Sequence, residues 1–355
     1  MSTVLAGDAG VAGAAVAGTS AVATGVARLT GASAVAHVEL AALGTLTPTG
    51  RPGGQGRVYR PQHAPAHLEA APVVVKLYRR PPPAAAVGVL RDMIAWSQDL
   101  PDTERARLHG LTAWPLAIVS GVQDAAAGIV MRDLTPRFAV PFTMPSGQRR
   151  DVLLSLEHLL GDDGYLLARG LDVATGTVIR LRVAERISRA LGFLHDRGIV
   201  VGDIAPNNLL VSFGRLGPPV SFIDCDSMVF GGRQALPTVQ TTDWQLPDEL
   251  GEAPGTRAAD AYKLGLIVLR LLARCHDART LAPHRRHVPE ELRELLTRAL
   301  GPEPALRPAP GEWQRALEVA SVRPRIGALH PGPVLRPRVR PATATVAAPS
   351  GWPGP

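Results

Sequence analysis

Short apolar runs and helix-spaced apolar positions alternate along the chain from about residue 37. His37-Val-Glu-Leu-Ala-Ala-Leu-Gly-Thr-Leu46 alternates as a strand does, and Val73-Val-Val-Lys76-Leu-Tyr78 is a strand-length apolar block. Val183, Ile187, Leu191 and Leu194 then fall on one helical face, which predicts a helix ending near Gly198. Apolar runs follow at 199–201, 209–213 and 220–223, with Gly214 and Gly217-Pro218 as turn residues between the last two. From Asp260, Ala-Tyr-Lys-Leu-Gly265-Leu-Ile-Val-Leu-Arg-Leu-Leu is apolar nearly all round, the mark of a buried helix.

Polar residues interrupt this pattern at strand edges and loop ends. In Gly202-Asp203-Ile-Ala-Pro-Asn-Asn208 a carboxamide follows a carboxylate by five residues, and Asp224-Cys-Asp226 comes after a hairpin. This set suits phosphoryl transfer: Asp203 takes or orients an attacking hydroxyl, while Asn208 and Asp224 offer hard oxygen ligands to magnesium. The plainer alternative is an acidic hairpin with an Asx turn at Asn207 or Asn208. Upstream, Gly50-Arg-Pro-Gly53-Gly54-Gln-Gly56-Arg-Val58 lets a hairpin backbone come close to phosphates, with free N–H groups as an anion cradle. Lys76 stands in an apolar strand, where an ammonium is costly without an anionic partner.

In order and spacing these motifs resemble the eukaryotic-type protein kinase superfamily, in an atypical bacterial wording, over about residues 38–322. The resemblance implies an α+β, two-lobed fold: a small β-rich N-lobe over about 37–134 and a larger helical C-lobe over about 135–322. It implies ATP and magnesium (Mg2+) as cofactors. Gly53, Gly54, Gly56, Val58 and Lys76 would hold the nucleotide, with Met131 at the back of the adenine pocket. Asp203 would be the catalytic aspartate, assisted by Lys76 and Asn208, and Asn208, Asp224 and Asp226 would hold metal. Residues 113–119 and 128–134 resemble the strands that lead to the hinge, and 84–98 the helix after the lysine. Thr241–Leu250 resembles the end of an activation segment. Asp260 would cap catalytic-loop amides, and Arg307 would pair with Glu249.

The chain also departs from the pattern. Arg51 replaces the first loop glycine, and residues 84–98 lack the glutamate that normally pairs with the lysine, leaving Asp92 as the nearest candidate. Glu104 lies beyond Pro101, outside that helix. Val201 and Gly202 stand for the histidine and arginine before the catalytic aspartate, and Ala205 for the loop lysine. The arginine's loss removes the usual clamp on a phosphorylated segment, and the lysine's loss lowers rate rather than altering fold. Asp226 stands where the family has glycine. In an extended chain it would share a side with Asp224, serving a second magnesium or capping the activation segment.

Three functions follow: a protein kinase acting on Ser or Thr of protein substrates, a small-molecule phosphotransferase, or a nucleotide-binding scaffold without transfer. Thr241–Glu249, Asp260 and Arg307 favour the first over the second because they shape a peptide-docking lobe. Lys76, Asp203, Asn208 and Asp224 favour activity over the third. Only two cysteines, Cys225 and Cys275, argue against a disulfide framework and suit a reducing cytoplasm. Much of the net charge of +7 sits in the tail without aromatic interleaving, so no nucleic-acid partner is expected. Residues 1–36 read as an Ala/Gly/Val-rich leader. Its run Ala9–Ala27 has bilayer length but small residues and no basic cluster before it, so no stable membrane insertion is expected. Residues 323–355, with eight prolines, five arginines and no acid, read as an extended disordered tail.

Overall fold

The computed structural model describes residues 36–322, apart from 51–52, 66–67, 69–70, 122–124, 162, 174, 215–216 and 238–239. The leader (but for Ala36), Arg51 and the tail lie outside the described residues.

The strand pattern of the first part becomes one six-stranded sheet. β1 (His37–Glu39) and β2 (Leu46–Pro48) are separated by a 3-10 turn, Leu40–Leu43, so the alternating run over 37–46 is two strands rather than one. Gly44, at φ 66°, makes the break, a conformation that glycine adopts at no steric cost. β3 (Gly56–Pro61) and β4 (Val73–Tyr78) follow, then α1 (Ala84–Asp99), α2 (Asp102–Leu111), β5 (Pro115–Ser120) and β6 (Ala126–Arg132). Strand order is β1-β5-β6-β4-β3-β2, with β1 parallel to β5 and every other pairing antiparallel. Pro101 separates α1 from α2, as a residue that disfavours helix in its predecessor and lacks an N–H. α1 turns Val89, Leu90, Met93 and Ile94 inward at helical spacing, and the Trp114 indole N–H donates to the Met93 carbonyl at 3.0 Å.

Strand alternation settles which way β4 presents its chemistry. Val73 and Val75 enter a core with Val38, Leu43, Ala117, Val119 and Val130, so Val74, Lys76 and Tyr78 face the opposite side, toward the helical lobe.

That second lobe begins after β6. It opens with α3 (Thr135–Phe138), the hairpin β7 (Ala139–Thr143) and β8 (Arg149–Leu153), and α4 (Asp163–Ala168). The helix expected to end near Gly198 is α5 (Thr177–His195). β9 (Ile199–Val200), the hairpin β10 (Leu209–Val211) and β11 (Val220–Phe222), and β12 (Val229–Phe230) with β13 (Arg233–Gln234) follow as short strands. Helices α6 (Arg257–Ala273), α7 (Glu290–Ala299) and α8 (Pro310–Val322) complete the lobe. α6 is buried without interruption from Ala259 to Leu272, packed by α5 and α7, while α8 lies along α5. The α+β, two-lobed architecture is therefore the one the motifs implied. Among the described residues, no helix is long and apolar enough to cross a membrane.

Candidate active site

The lobes meet at a small apolar cluster drawn from both. Val74, Ala113 and Met131 are buried, and Val58, Leu134 and Ile223 pack against them. The register Val58↔Lys76 puts the end of the glycine hairpin beside the lysine. Gly54 and Gln55 form the bend, closed by Gly53 N–H to Gly56 C=O at 2.9 Å. Gly56 admits no side chain: a Cβ there would lie 2.3 Å from the Leu77 carbonyl oxygen.

Below the cluster, the turn after α5 is held by Asp260 at the start of α6. Its Oδ2 accepts from Val201 N–H at 2.8 Å, its Oδ1 accepts from Gly202 N–H at 2.9 Å, and His195 Nε2 lies 2.9 Å from Oδ2. The expected cap on the loop amides is thus present, and fully buried. Gly202, at φ 77°, sits in a tight turn in which Asp203 N–H donates to the Val201 carbonyl at 2.9 Å. That backbone favours glycine and gives a physical reason for the missing arginine.

This turn delivers Asp203 to Asn208. The Asn208 amide donates to the Asp203 carboxylate at 2.9 Å and to its carbonyl at 3.1 Å, leaving Asn208 Oδ1 as an acceptor. The Asn208 carbonyl in turn accepts from Ile223 N–H at 3.0 Å, tying the loop to the residue before Asp224. Thr241 closes over Asp203: its hydroxyl donates to Oδ2 at 3.0 Å and its N–H to Oδ1 at 3.2 Å.

Asp224 is not extended. It adopts left-handed φ 56°, ψ 38°, and Cys225–Ser227 form a 3-10 turn whose Ser227 hydroxyl donates to the Asp224 carbonyl at 2.9 Å. The turn still sends both carboxylates one way. Lys76 Nζ donates to Asp226 Oδ1 at 2.8 Å and to Asp224 Oδ1 at 3.2 Å. Burial alone would lower the lysine's pKa. The carboxylates of Asp226 and then Asp224 outweigh it and hold the ammonium above its ordinary range. Asp224 keeps 47% of its side chain exposed, against 1% for Asp226. Cys225 between them is an apolar anchor whose thiol pKa burial pushes far up.

Two predicted partnerships are corrected. Asp92 faces solvent and binds Arg233 of β13 at 2.5 Å instead of reaching Lys76, because its position on α1 points away from the inward row of Leu90, Met93 and Ile94. Arg307 does pair with an acid before α6, but with Glu252 and not Glu249: Nη1 donates to it at 2.7 Å. Glu104 lies on α2, as its place after Pro101 implied, and binds Arg197 at 2.7 Å.

One important residue escaped the sequence pattern. Lys263 of α6 is fully buried. Its Nζ donates to the Gly202 carbonyl at 2.9 Å and stands 3.6 Å from Asp203 Oδ1. Burial lowers its pKa against the pull of Asp203 and Asp260. The signal was a lysine in an otherwise apolar helix, the same anomaly that marked Lys76.

A β-rich lobe over a helical lobe, with this lysine, loop and acidic turn at their junction, is a kinase-like fold. No family model matches the chain. Over 240 residues, 64% of the chain, it is 27% identical to Protein kinase YegI of Escherichia coli (strain K12). Over 91 residues, 26% of the chain, it is 31% identical to Serine/threonine/tyrosine-protein kinase HT1 of Arabidopsis thaliana. Over 139 residues, 36% of the chain, it is 28% identical to Probable inactive leucine-rich repeat receptor kinase XIAO of Oryza sativa subsp. japonica. These matches span 32%, 23% and 11% of the relatives' own lengths. With the fold, they support a protein kinase-like superfamily for the chain.

Proposed function

We propose that the protein transfers the γ-phosphoryl group of ATP, with magnesium, to Ser or Thr hydroxyls of protein substrates. The observation that carries this reading is the Asp203 carboxylate. It is oriented by Asn208 and already accepts an aliphatic hydroxyl, that of Thr241, at 3.0 Å. A substrate hydroxyl in the same place would be positioned for attack, with Asp203 taking its proton. The Val58–Val74–Met131–Leu134–Ile223 cluster offers apolar faces to a planar base from both lobes. The glycine hairpin at Gly53 and Gly54 would then hold the phosphates through its backbone N–H groups, and Lys76 would supply their cation.

The donor set fits magnesium. Asp224 is half exposed and Asn208 Oδ1 is free to accept, so hard oxygens stand at the acidic turn and at the loop. Magnesium there would neutralise charge on the transferring phosphoryl. Lys263 supplies a fixed positive charge behind Asp203, in place of the loop cation that Ala205 cannot provide. A second reading, a nucleotide-binding scaffold without transfer, draws on Val201, Gly202 and Ala205 and on the closure of Thr241 over Asp203.

The deciding measurement is titration with a fluorescent ATP analogue, with and without magnesium, followed by transfer of labelled phosphate to generic protein substrates. Asp203→Ala is expected to leave nucleotide affinity nearly intact and to cut turnover by about 10²–10⁴-fold. Binding without detectable wild-type transfer would select the scaffold. No binding at millimolar nucleotide would sink both readings.

A further inference from the structure

The acids on Lys76 come from an unexpected direction. α1 carries only Asp92 and Asp99, and Asp92 is taken by Arg233 at the surface. Among the described residues, the carboxylates within reach of Lys76 Nζ are those of Asp224 and Asp226, on the turn that opens the segment after β11. They are not equivalent. Asp224 is half open to solvent and is the residue proposed for magnesium, so its hold on the lysine competes with a cation. Asp226 is enclosed, and its shorter contact of 2.8 Å is made where solvent cannot screen it.

The surroundings are built around Asp226. Lys76 and Tyr78, two residues apart on β4, present the same face. The Tyr78 hydroxyl is buried beside this carboxylate, and its pKa is raised well above the ordinary phenol by burial and then by Asp226. The second carboxylate oxygen, Oδ2, is itself buried and closes no hydrogen bond among the described residues. The backbone that carries Asp226 is fixed on both sides. Ser227 N–H and hydroxyl bond the Asp224 carbonyl, Met228 N–H bonds the Cys225 carbonyl, and the buried Cys225 thiol donates to Phe222 C=O.

We propose that Asp226 is the standing anchor of Lys76, orienting the phosphate-binding ammonium from the acidic turn, so that the lysine's position is set by this turn and not by α1. Asp226 is a positioning residue on this account. The inference rests on the reading of Lys76 as a nucleotide ligand. It adds that displacement of α1 is not what switches the site. A charge balance follows: one lysine serves two carboxylates, and when a cation takes Asp224, the Asp226–Lys76 pair remains whole.

The test uses the full chain, in two arms. The first is a thermal-unfolding cycle without nucleotide. Asp226→Asn and Lys76→Met are each expected to lower Tm, and the double variant to fall by clearly less than the sum of the two. Asp92→Asn with Lys76→Met should be additive. The second arm reads the Kd of the fluorescent ATP analogue. Asp226→Asn should weaken it about tenfold or more, as Lys76→Met does, while Asp92→Asn stays within about twofold. Asp226→Glu, which keeps the charge, should recover part of the loss and guards against an unfolded Asn variant. The magnesium concentration giving half-maximal binding should not move in Asp226→Asn. An additive Asp226/Lys76 cycle overturns the proposal. So does unchanged affinity in Asp226→Asn alongside a weakened Lys76→Met, or a raised magnesium requirement, which would assign Asp226 to the metal. A wild type that binds no nucleotide but shows the non-additive cycle would remove the function proposed for Lys76 and keep its anchor.

Discussion

Lys263 shows how much one buried charge can carry. An ammonium with no exposed surface persists here because the Gly202 carbonyl and the Asp203 and Asp260 carboxylates surround it. Lys263→Met would leave Asp203 without its neighbouring cation while touching no proposed nucleotide contact. Turnover is expected to fall about tenfold or more, with nucleotide affinity within about twofold, in steady-state kinetics with ATP varied. Equal losses in turnover and affinity would instead mark a general disturbance of the lobe junction. Lys76, Asp203, Asn208 and Asp224 were legible because each lies in a local run whose spacing has a chemical meaning. Lys263 was read only as part of a buried helix, because its partner lies 60 positions earlier in the chain and no local pattern joins them.

Elements impose their own limits, and two can be tested. β3 and β4 approach so closely at Gly56 that an added methyl would strike the Leu77 carbonyl, a backbone atom held in the sheet. Gly56→Ala should therefore destabilise the protein by about 1–3 kcal/mol in denaturant unfolding, and weaken nucleotide binding through the displaced hairpin. A fully stable variant would show that the strands can part there without cost. On α2, His109 is buried, and its pKa is lowered from 6.5 to about 4, by burial and then by Arg132 and Arg105. Between those values the unfolded chain binds the proton and the folded one does not. His109 thus supports the fold fully above pH 6.5, and that support is lost as pH falls toward 4, to a limit of about 3 kcal/mol. His109→Gln should flatten the decline of Tm across this window. A slope equal to wild type's would place the titration elsewhere.

Across the molecule, the helical lobe is closed by an ion pair outside the candidate site. Arg307, whose side chain is fully buried, forks onto both oxygens of Glu252 and donates to the Ala258 carbonyl at 3.0 Å, joining the stretch before α8 to the start of α6. Since α6 carries Asp260 and Lys263, this pair braces the helix that positions the loop of Asp203. Arg307→Ala leaves a nearly buried carboxylate unpaired and should cost about 3–5 kcal/mol in thermal or denaturant unfolding. Arg307→Lys should recover little, because a single ammonium cannot reproduce the forked contact. Glu249→Gln, by contrast, should leave stability within about 0.5 kcal/mol.

The amino-acid sequence by itself determined the periodicities that make β4, α5 and α6, and it set the spacing from Asp203 to Asn208. It also put Gly202 and Gly56 where backbones need them. These are local matters, decided by side-chain period, turn chemistry and steric room within a few residues. Tertiary structure alone decided the pairings. Asp92 went to Arg233, Arg307 to Glu252, Lys263 to Asp203 and Lys76 to Asp226. Each joins residues tens of positions apart or more, and the choice among candidate acids turns on which face of a helix looks inward and how a left-handed turn at Asp224 aims the next carboxylate. A charge's partner is fixed by distance and burial in three dimensions, and neither is written in spacing along the chain.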